Sequence, residues 1–357
     1  MDKTLLFIVP TDEMGGAEQI IKQLAIHYQL AQKEVQVICL TRESTKNGWK
    51  DFKGKIRYFK TSNVFVGFML LSLYTFNKKF HLVFSSQVYI NGLLGFLRSL
   101  RWYKTSKLIV RESTTIFLRF KGWRLWTYKL FYKIGYHNSD LIICQTKLMQ
   151  QQLITHVPSL KTNNIQVLQN PISLIDITNK AELTADFGNI EGEFIVGLGR
   201  MVSAKGFDIL IHSFNQISEQ YPNLKLLILG DGPERGLLEN LVNQYKLTEK
   251  VLMPGYSFNP FPYLKAASVG VVSSRIEGYP NILLQMMALN NNIVCTNCAG
   301  GVEEIKGIGL CTANDIDSLT NALLAALSTS ETNKNRPLFD AYLSKSSIDS
   351  FIAKMEN

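Results

Sequence analysis

Cysteine, proline and long apolar runs are all scarce in this sequence of 357 residues. Its five cysteines are an odd number and lie mostly within apolar stretches, which argues against the disulfide framework of small secreted proteins. Ten prolines and 24 glycines are too few for a collagen-like or disordered chain. The longest run without a charge or a strongly polar group, roughly residues 64–76, is shorter than the roughly 20 residues of a membrane-spanning helix. The sequence therefore predicts a folded globular protein without a transmembrane helix.

The sequence also lacks a signal peptide and a recognisable metal site. Residues 1–10 contain no long apolar segment followed by small residues, which predicts that the protein stays in the cytoplasm. Cys295 and Cys298 have the C-x-x-C spacing, but no second pair accompanies them, so a zinc or redox role is the lesser alternative. The five histidines form no cluster. We expect no metal and no resident cofactor.

Positive charge is concentrated in the first half of the chain. Residues 1–170 carry 24 basic and 9 acidic residues, a net charge of +15, whereas residues 171–357 carry 14 basic and 20 acidic residues, a net charge of −6. Residues 98–133 hold ten basic residues, nine aromatic ones and one acid, Glu112. This mixture suits an anionic lipid surface. The alternatives are stacking on nucleic-acid bases and an ordinary solvated helix face. We favour the membrane, because no nucleic-acid-binding module is recognisable.

Short, branched apolar runs alternate with segments of helical period along the whole chain, which is typical of parallel α/β sheets. One series of strands runs from Leu5–Val9 to residues 165–168 and a second from residues 194–197 to 309–312, with a polar stretch after Asn170 between them. The pattern predicts two tandem, Rossmann-like, doubly wound domains over residues 1–170 and 171–336. A helical segment, residues 337–357, is expected to pack back on the first domain. Ligands of such sheets bind at the carboxyl ends of the strands, so we expect the active site in the cleft between the domains.

Several turns that follow predicted strands could form a phosphate and sugar site. Arg200 and Lys205 follow the first strand of the second domain, and two cations there would neutralise a diphosphate. Gly230 belongs to a Gly-Asp-Gly-Pro turn, where tight geometry is favoured over direct ligand contact. Gly255 and Tyr256 follow the next strand and could hold a planar base.

Residues 273–288 are the most informative segment. A strand ends at two serines, Glu277 lies in the following loop, and Pro280 opens a helix whose first amides could bind an anion. The Glu277 carboxylate is suited to accept hydrogen bonds from sugar hydroxyls. A nicotinamide oxidoreductase is the rival, but neither Gly197-Leu198-Gly199 nor Gly230-Asp231-Gly232 is followed by the third glycine of the dinucleotide fingerprint.

These motifs together resemble the retaining glycosyltransferases of family 4, which have the GT-B fold. The family signature is E-x7-E, and this chain has Glu277 at the first position but Gln285 at the second. In the family, the first Glu contacts donor-sugar hydroxyls and the second contacts the ribose. A glutamine retains only one side-chain acceptor, so donor affinity or nucleotide preference is expected to differ.

The other matches to the family lie in both predicted domains. Arg200 and Lys205 resemble its diphosphate-binding pair, Gly15 and Gly16 with Glu18 resemble its Gly-Gly-x-Glu loop, and Arg111-Glu112 resembles an Arg-Glu segment of some members. The resemblance implies Arg200, Lys205 and Glu277 as catalytic residues and Glu18, Arg111 and Glu112 on the acceptor side. The expected donor-binding residues are Gly15, Gly16, Gly199, Gly230, Gly255, Tyr256, Gly278, Tyr279, Pro280, Asn281, Ile282 and Gln285.

The resemblance implies transfer of a sugar from a nucleotide diphosphate, with UDP preferred, to a hydroxyl group with retention of configuration. The basic first half favours a lipid-linked or polysaccharide acceptor in cell-surface glycan synthesis, and thus a peripheral protein at the inner face of the cell membrane. The alternatives are a non-catalytic protein that binds glycans or nucleotide sugars, and a nucleotide-sugar epimerase of the same architecture.

Overall fold

The computed structural model describes residues 3–45, 47–184, 192–329 and 332–356. The chain divides into two compact units. Unit 1 contains the residues up to Pro171 and those from Ile348 onward, and unit 2 runs from Ile172 to Ser347. Both are α/β, in agreement with the predicted fold class.

Unit 1 is built on a parallel sheet of seven strands in the order β3-β2-β1-β4-β5-β6-β7. The inner strand β1, third in this order, is apolar and buried at every position, as parallel strands covered on both faces are. The strands are β1 Leu5–Val9, β2 Val35–Cys39, β3 Lys55–Tyr58, β4 Lys79–Ser85, β5 Lys104–Arg111, β6 Leu141–Cys144 and β7 Ile165–Val167.

The helices of unit 1 cover both faces of this sheet. Alternate residues of β1 enter different clusters: Leu6 and Ile8 pack with residues of α2, α3 and α5, whereas Leu5 and Phe7 pack with residues of α1. The helices are α1 Gly16–Leu30, α2 Val64–Thr75, α3 Val88–Ser99, α4 Ile116–Arg119, α5 Gly122–Gly135 and α6 Lys147–His156.

Unit 2 repeats the arrangement with a parallel sheet of six strands in the order β10-β9-β8-β11-β12-β13. Its strands are β8 Phe194–Leu198, β9 Lys225–Leu229, β10 Val251–Gly255, β11 Val269–Val272, β12 Ile293–Thr296 and β13 Gly309–Cys311. Its helices are α7 Leu174–Ala181, α8 Phe207–Ile217, α9 Arg235–Gln244, α10 Phe261–Ala266, α11 Asn281–Leu289, α12 Ile316–Ser328 and α13 Arg336–Leu343.

The end of the chain differs from the single returning segment expected from residue 337. The segment forms two helices, and α13 stays in unit 2, where Phe339 and Leu343 are buried in the core. Only the last helix, α14 (Ile348–Glu356), lies in unit 1. The break comes at Ser347, which bridges to Ile172 in unit 2 and so ends the first helical run.

Two strands of unit 1 begin earlier than the apolar runs indicate. The sequence predicts strands from Leu82 and Lys107, but β4 begins at Lys79 and β5 at Lys104, and these two lysines are paired in register. Pairing between neighbouring strands extends the sheet over polar residues that carry no hydrophobic signal. Within the described part of the chain, no helix is both long and apolar enough to cross a membrane.

Candidate active site

The carboxyl ends of two neighbouring strands of unit 2 bring a cation and a carboxylate together. Lys205 follows β8 and Glu277 follows β11, and β8 and β11 are paired in the sheet. The Lys205 Nζ atom lies 2.5 Å from Glu277 Oε1, and both side chains are about one-fifth exposed, at 23% and 18%. Ser274 Oγ donates to the same carboxylate oxygen at 2.9 Å. An ion pair that a ligand can still reach thus lies at the edge where ligands of such sheets bind.

Arg275 connects the two loops that carry this pair, a role that the sequence motifs did not reveal. Its guanidinium forms two hydrogen bonds with Asp208 at the start of α8, at 2.8 and 2.5 Å, and a third with the Ser203 carbonyl at 2.7 Å. Burial is the largest single effect on Asp208 and opposes its ionisation, but the hydrogen bonds and charge of Arg275 and the backbone hydrogen bonds together lower the pKa of its carboxyl. A planar guanidinium facing a carboxylate in this way fixes orientation as well as charge.

Backbone contacts hold the same two loops together. Arg275 N donates to Ala204 O at 2.8 Å, and Ser273 Oγ donates to Lys205 O at 2.9 Å. Gly206 has φ +62, and a Cβ atom there would lie 2.2 Å from the Ser273 carbonyl oxygen. Glycine is therefore required for this close approach. The loop that presents Lys205 is preorganised against the loop that presents Glu277.

The predicted glycine turn lies at the same edge of the sheet. Gly230 has φ +137, and a Cβ atom there would lie 1.9 Å from the Gly199 carbonyl oxygen. Gly230 N donates to Gly255 O at 2.8 Å, and Met201 N donates to Asp231 O at 2.9 Å. Gly199, Gly230 and Gly255 thus join the ends of three strands, and turn geometry explains Gly230 without ligand contact.

Arg200 and Tyr256 lie at the surface of unit 2. Arg200 is two residues beyond β8, and its side chain is exposed. The Tyr256 ring is exposed and meets the ring of Phe258 edge to face, with 5.1 Å between centroids. Phe258 is an exposed aromatic residue that no sequence motif indicated. Two such rings beyond β10 offer an apolar surface to a planar group.

The helix after Glu277 is formed as predicted, but two of its expected donor contacts face the interior. Pro280 caps α11, with Gly278 before it and Asn281 as its first residue. The Tyr279 and Ile282 side chains are buried in the core of unit 2, and the Tyr279 and Tyr342 hydroxyls are hydrogen-bonded at 2.7 Å. Burial raises the pKa of Tyr279. Their side chains pack in the core, and a donor-binding role for these two residues stays a prediction for their backbone groups.

Gln285 lies one turn further along α11 and is partly exposed. The helix period places residues 281 and 285 on the same face, so Gln285 follows Asn281 along one side of α11. The position held by the second family Glu is therefore in the middle of the helix that follows Glu277.

In unit 1, the predicted Gly-Gly-x-Glu loop lies at the carboxyl end of β1. Gly15 is the cap residue of α1, Gly16 is its first residue, and both are exposed. Glu18 is nearly buried, and Gln87 Nε2 donates to its Oε1 atom at 3.4 Å. Burial raises the pKa of Glu18, against the lowering effects of nearby hydrogen bonds and of the Arg111 charge. A carboxylate whose burial disfavours its charged form favours contact with a proton or a hydroxyl group.

Arg111 and Glu112 are buried, which corrects the expectation that both side chains face an acceptor. The Arg111 guanidinium donates to Ser86 Oγ at 2.8 Å and to Asn170 Oδ1 at 2.5 Å. Tyr132 and Tyr136 donate their hydroxyl protons to the two oxygens of Glu112. Burial is the main cause that raises the pKa of Glu112 to about 7, opposed by these hydrogen bonds and by Arg111. Glu112 therefore belongs to a polar core network.

The cysteines are free and buried, including Cys295 and Cys298. Burial raises the pKa of Cys295 well above its ordinary value, which disfavours the thiolate that metal binding and redox exchange need. Among the residues that the structure describes, no group of three or more His, Cys, Asp or Glu side chains could hold a metal ion.

The second unit is similar in sequence to known glycosyltransferases. Residues 192–329 match the family model described as glycosyl transferases group 1. An uncharacterized glycosyltransferase of Methanocaldococcus jannaschii is 35% identical over 192 residues, which cover 53% of this chain and 47% of that protein. A Campylobacter jejuni N-acetylgalactosaminyltransferase, named for a diphospho-undecaprenol substrate, is 28% identical over 204 residues. These cover 57% of this chain and 54% of that protein. The matches thus span about half the length of these relatives.

Solved structures extend the likeness to the whole chain. HepE of Anabaena, crystallised with UDP-glucose, superposes with a TM-score of 0.80 and 14% identity, over 99% of this chain and 98% of its own. A UDP-forming trehalose-phosphate synthase of Burkholderia xenovorans gives a TM-score of 0.76 at 12% identity, over 100% and 99% of the two chains. Residues 192–329 are therefore similar to the group 1 glycosyltransferases, and the fold of the whole chain is GT-B.

Proposed function

We propose that this protein is a retaining glycosyltransferase that moves a sugar from a nucleotide diphosphate, with UDP preferred, to an acceptor hydroxyl. The observation that carries the proposal is the ion pair of Lys205 and Glu277, which two clamped loops hold at the carboxyl ends of β8 and β11. Structural neighbours crystallised with UDP or UDP-glucose support the choice of donor. The nucleotide sugar is the substrate, and the reaction uses no resident cofactor.

The costly step is departure of the nucleotide diphosphate. The bond between the anomeric carbon and the diphosphate oxygen breaks, and its electron pair stays on that oxygen. Lys205, Arg200 and the first turn of α11 place positive charge where this negative charge develops. The acceptor oxygen then bonds to the anomeric carbon on the face that the diphosphate leaves, its proton goes to the departing diphosphate oxygen, and no protein side chain needs to attack. These groups accelerate the reaction because they bind the leaving group most tightly in the transition state.

Glu277 is proposed to orient the donor sugar. Its Oε1 atom accepts from Lys205 and Ser274, which fixes the carboxylate and leaves its other oxygen for sugar hydroxyls. Gln285 takes the place of the second acid and would bind a ribose hydroxyl through its single side-chain acceptor.

The acceptor is proposed to be a lipid-linked or growing glycan. Relatives include the Campylobacter protein named for a diphospho-undecaprenol substrate and a putative colanic acid biosynthesis glycosyltransferase of Escherichia coli. The net charge of +15 over residues 1–170 supports attraction to anionic lipid. We therefore place the protein at the inner face of the cell membrane as a peripheral enzyme. Glu18, nearly buried in unit 1, is the proposed acceptor-side carboxylate.

Substitution of the two cations tests the catalytic proposal. Lys205→Ala and Arg200→Ala should each lower the release of UDP from UDP-sugars by roughly 10²-fold or more, because each removes a charge that stabilises the leaving group. Lys246→Ala is the matched control. Lys246 is exposed just beyond the last turn of α9. This helix returns to the amino end of the sheet, so Lys246 lies away from the carboxyl ends of the strands. Near-normal turnover in both site variants would overturn the mechanism.

Binding separates this proposal from its alternatives. A nucleotide sugar that binds the folded protein should raise its thermal unfolding temperature. Binding without turnover or transfer would favour a non-catalytic nucleotide-sugar-binding protein, and epimerised product without an acceptor would favour the epimerase.

A further inference from the structure

Helix α2 presents large apolar side chains to solvent along its outer side. The stripe consists of Phe65, Met69, Leu73 and Phe76, with Phe65 77% exposed and Leu73 63% exposed. The spacing of four and four residues keeps the first three on one face, and Phe76 is the residue that ends the helix. Residues 64–76 contain no charge, and the opposite side, including Leu71, is buried in unit 1. An apolar face of this kind, exposed to solvent, indicates an interaction site.

The exposed apolar surface continues from α2 over its neighbours. Helix α3 packs against both α2 and α5 on the same face of the sheet. Helix α5 carries Trp123 and Trp126, which are 72% and 64% exposed. We call the exposed side chains Phe65, Met69, Leu73, Phe76, Trp123 and Trp126 the apolar face.

The charge beside the apolar face is positive. Lys121, Arg124 and Lys129 are exposed on or next to α5. The single acid within residues 98–133, Glu112, is buried beneath Tyr132 and Tyr136. The surface therefore combines apolar side chains, indole rings and cations, without an exposed acid from residues 98–133.

We propose that α2 is an interfacial helix that enters the headgroup region of an anionic phospholipid bilayer, with α5 supplying the electrostatic contact. Twelve residues of α-helix are about 18 Å long, which suits a helix lying in the plane of the interface and not one crossing it. Indole rings favour the same depth, and basic side chains beside them contact the headgroups. This inference rests on the proposed function in one respect, namely that the proposed acceptor is bound to a membrane.

The charge favours lipid over a second copy of the chain. A symmetric dimer through the apolar face would bring two positively charged surfaces together, whereas anionic headgroups neutralise Lys121, Arg124 and Lys129. The helix is also fixed before it meets a membrane: Trp102 Nε1 donates to Ser72 O at 2.7 Å, and the Phe76 and Trp102 rings are 4.7 Å apart. Insertion therefore requires no refolding of α2.

Vesicle cosedimentation tests the inference with the full chain. The double variant Phe65→Gln/Leu73→Gln should bind vesicles of phosphatidylcholine with about one-third phosphatidylglycerol at least ~10-fold more weakly than wild type, because it removes apolar contact without changing charge. Leu30→Gln is the matched control and should bind as wild type does. Leu30 is 79% exposed at the end of α1, which covers the other face of the sheet.

Further measurements separate the outcomes. Thermal unfolding and UDP binding should be the same in the double variant and wild type, which shows that unit 2 is intact. The inference would be overturned if the wild-type protein did not bind vesicles, or if Leu30→Gln weakened vesicle binding as much as the double variant does. In either case, turnover of UDP-sugars would still support the proposed reaction. Concentration-dependent dimers that disappear in the double variant, without vesicle binding, would instead assign the apolar face to a second copy.

Discussion

At the scale of single residues, Glu112 is the most unusual ionisable group in unit 1. It is buried, accepts hydrogen bonds from Tyr132 and Tyr136, and has a pKa raised to about 7. An unfolded Glu titrates near 4.3. Between about pH 4.5 and 7 the folded protein therefore holds more protons than the unfolded chain, so this residue makes the free energy of unfolding fall as pH rises.

We expect Glu112→Gln to remove that pH dependence. From about pH 4.5 to 7, the free energy of unfolding of the variant should rise relative to that of wild type, by up to about 1.4 kcal/mol per pH unit. Above about pH 7 this difference should level off. Urea unfolding at several pH values measures it. Glu18, whose pKa is also raised, contributes to both proteins and cancels in the difference. A difference that does not vary with pH would show that Glu112 is not responsible.

Gly230 provides a second prediction at this scale. Gly230→Ala should destabilise the protein by about 1–3 kcal/mol or more, because φ +137 is strained for alanine and the new Cβ atom would overlap the Gly199 carbonyl oxygen. Turnover should fall as well, since the same contact places the turn before Arg200. Gly236→Ala is the control: nothing lies within 4 Å of its Cβ position in α9, and alanine favours helix. Equal stability of Gly230→Ala and wild type in urea would contradict this reading.

At the scale of elements, two features were not revealed by motifs: the clamp around Arg275, and the break in the C-terminal segment that leaves only α14 to return to unit 1. Arg275 joins the loops after β8 and β11 through Asp208 and Ser203, which are distant in sequence. The helix α14 packs on α1, where Tyr28 donates its hydroxyl proton to Glu356 at 2.7 Å and Met355 is fully buried. Both features depend on contacts between distant segments.

Substitution in α14 tests its contribution to unit 1. Met355→Ala should lower the unfolding free energy by about 2–5 kcal/mol, because it leaves a cavity in the core beside α1. Lys354→Ala, at an exposed neighbouring position, should change it by less than about 0.5 kcal/mol. Thermal or urea unfolding measures both. Equal effects of the two substitutions would show that α14 does not stabilise the core.

At the scale of the whole molecule, the order of strands and helices was readable from the sequence. Every predicted strand is present, because buried parallel strands are continuous apolar runs. The sequence also placed Lys205 and Glu277 after strands, and the parallel sheet puts both at one edge. The strand starts at Lys79 and Lys104 were not readable, because pairing between strands and not hydrophobicity decides them.

By itself, the sequence determined the α/β class, the glycine turns, the candidate catalytic residues and the separation of positive from negative charge, since all of these follow from local pattern and composition. Only the tertiary structure decided which side chains face inward. Tyr279, Ile282, Arg111 and Glu112 stand in motif segments, yet their side chains are buried, while the stripe on α2 is apolar and exposed. The physical reason is that burial depends on what packs above a side chain, and those neighbours come from parts of the chain that no local pattern connects.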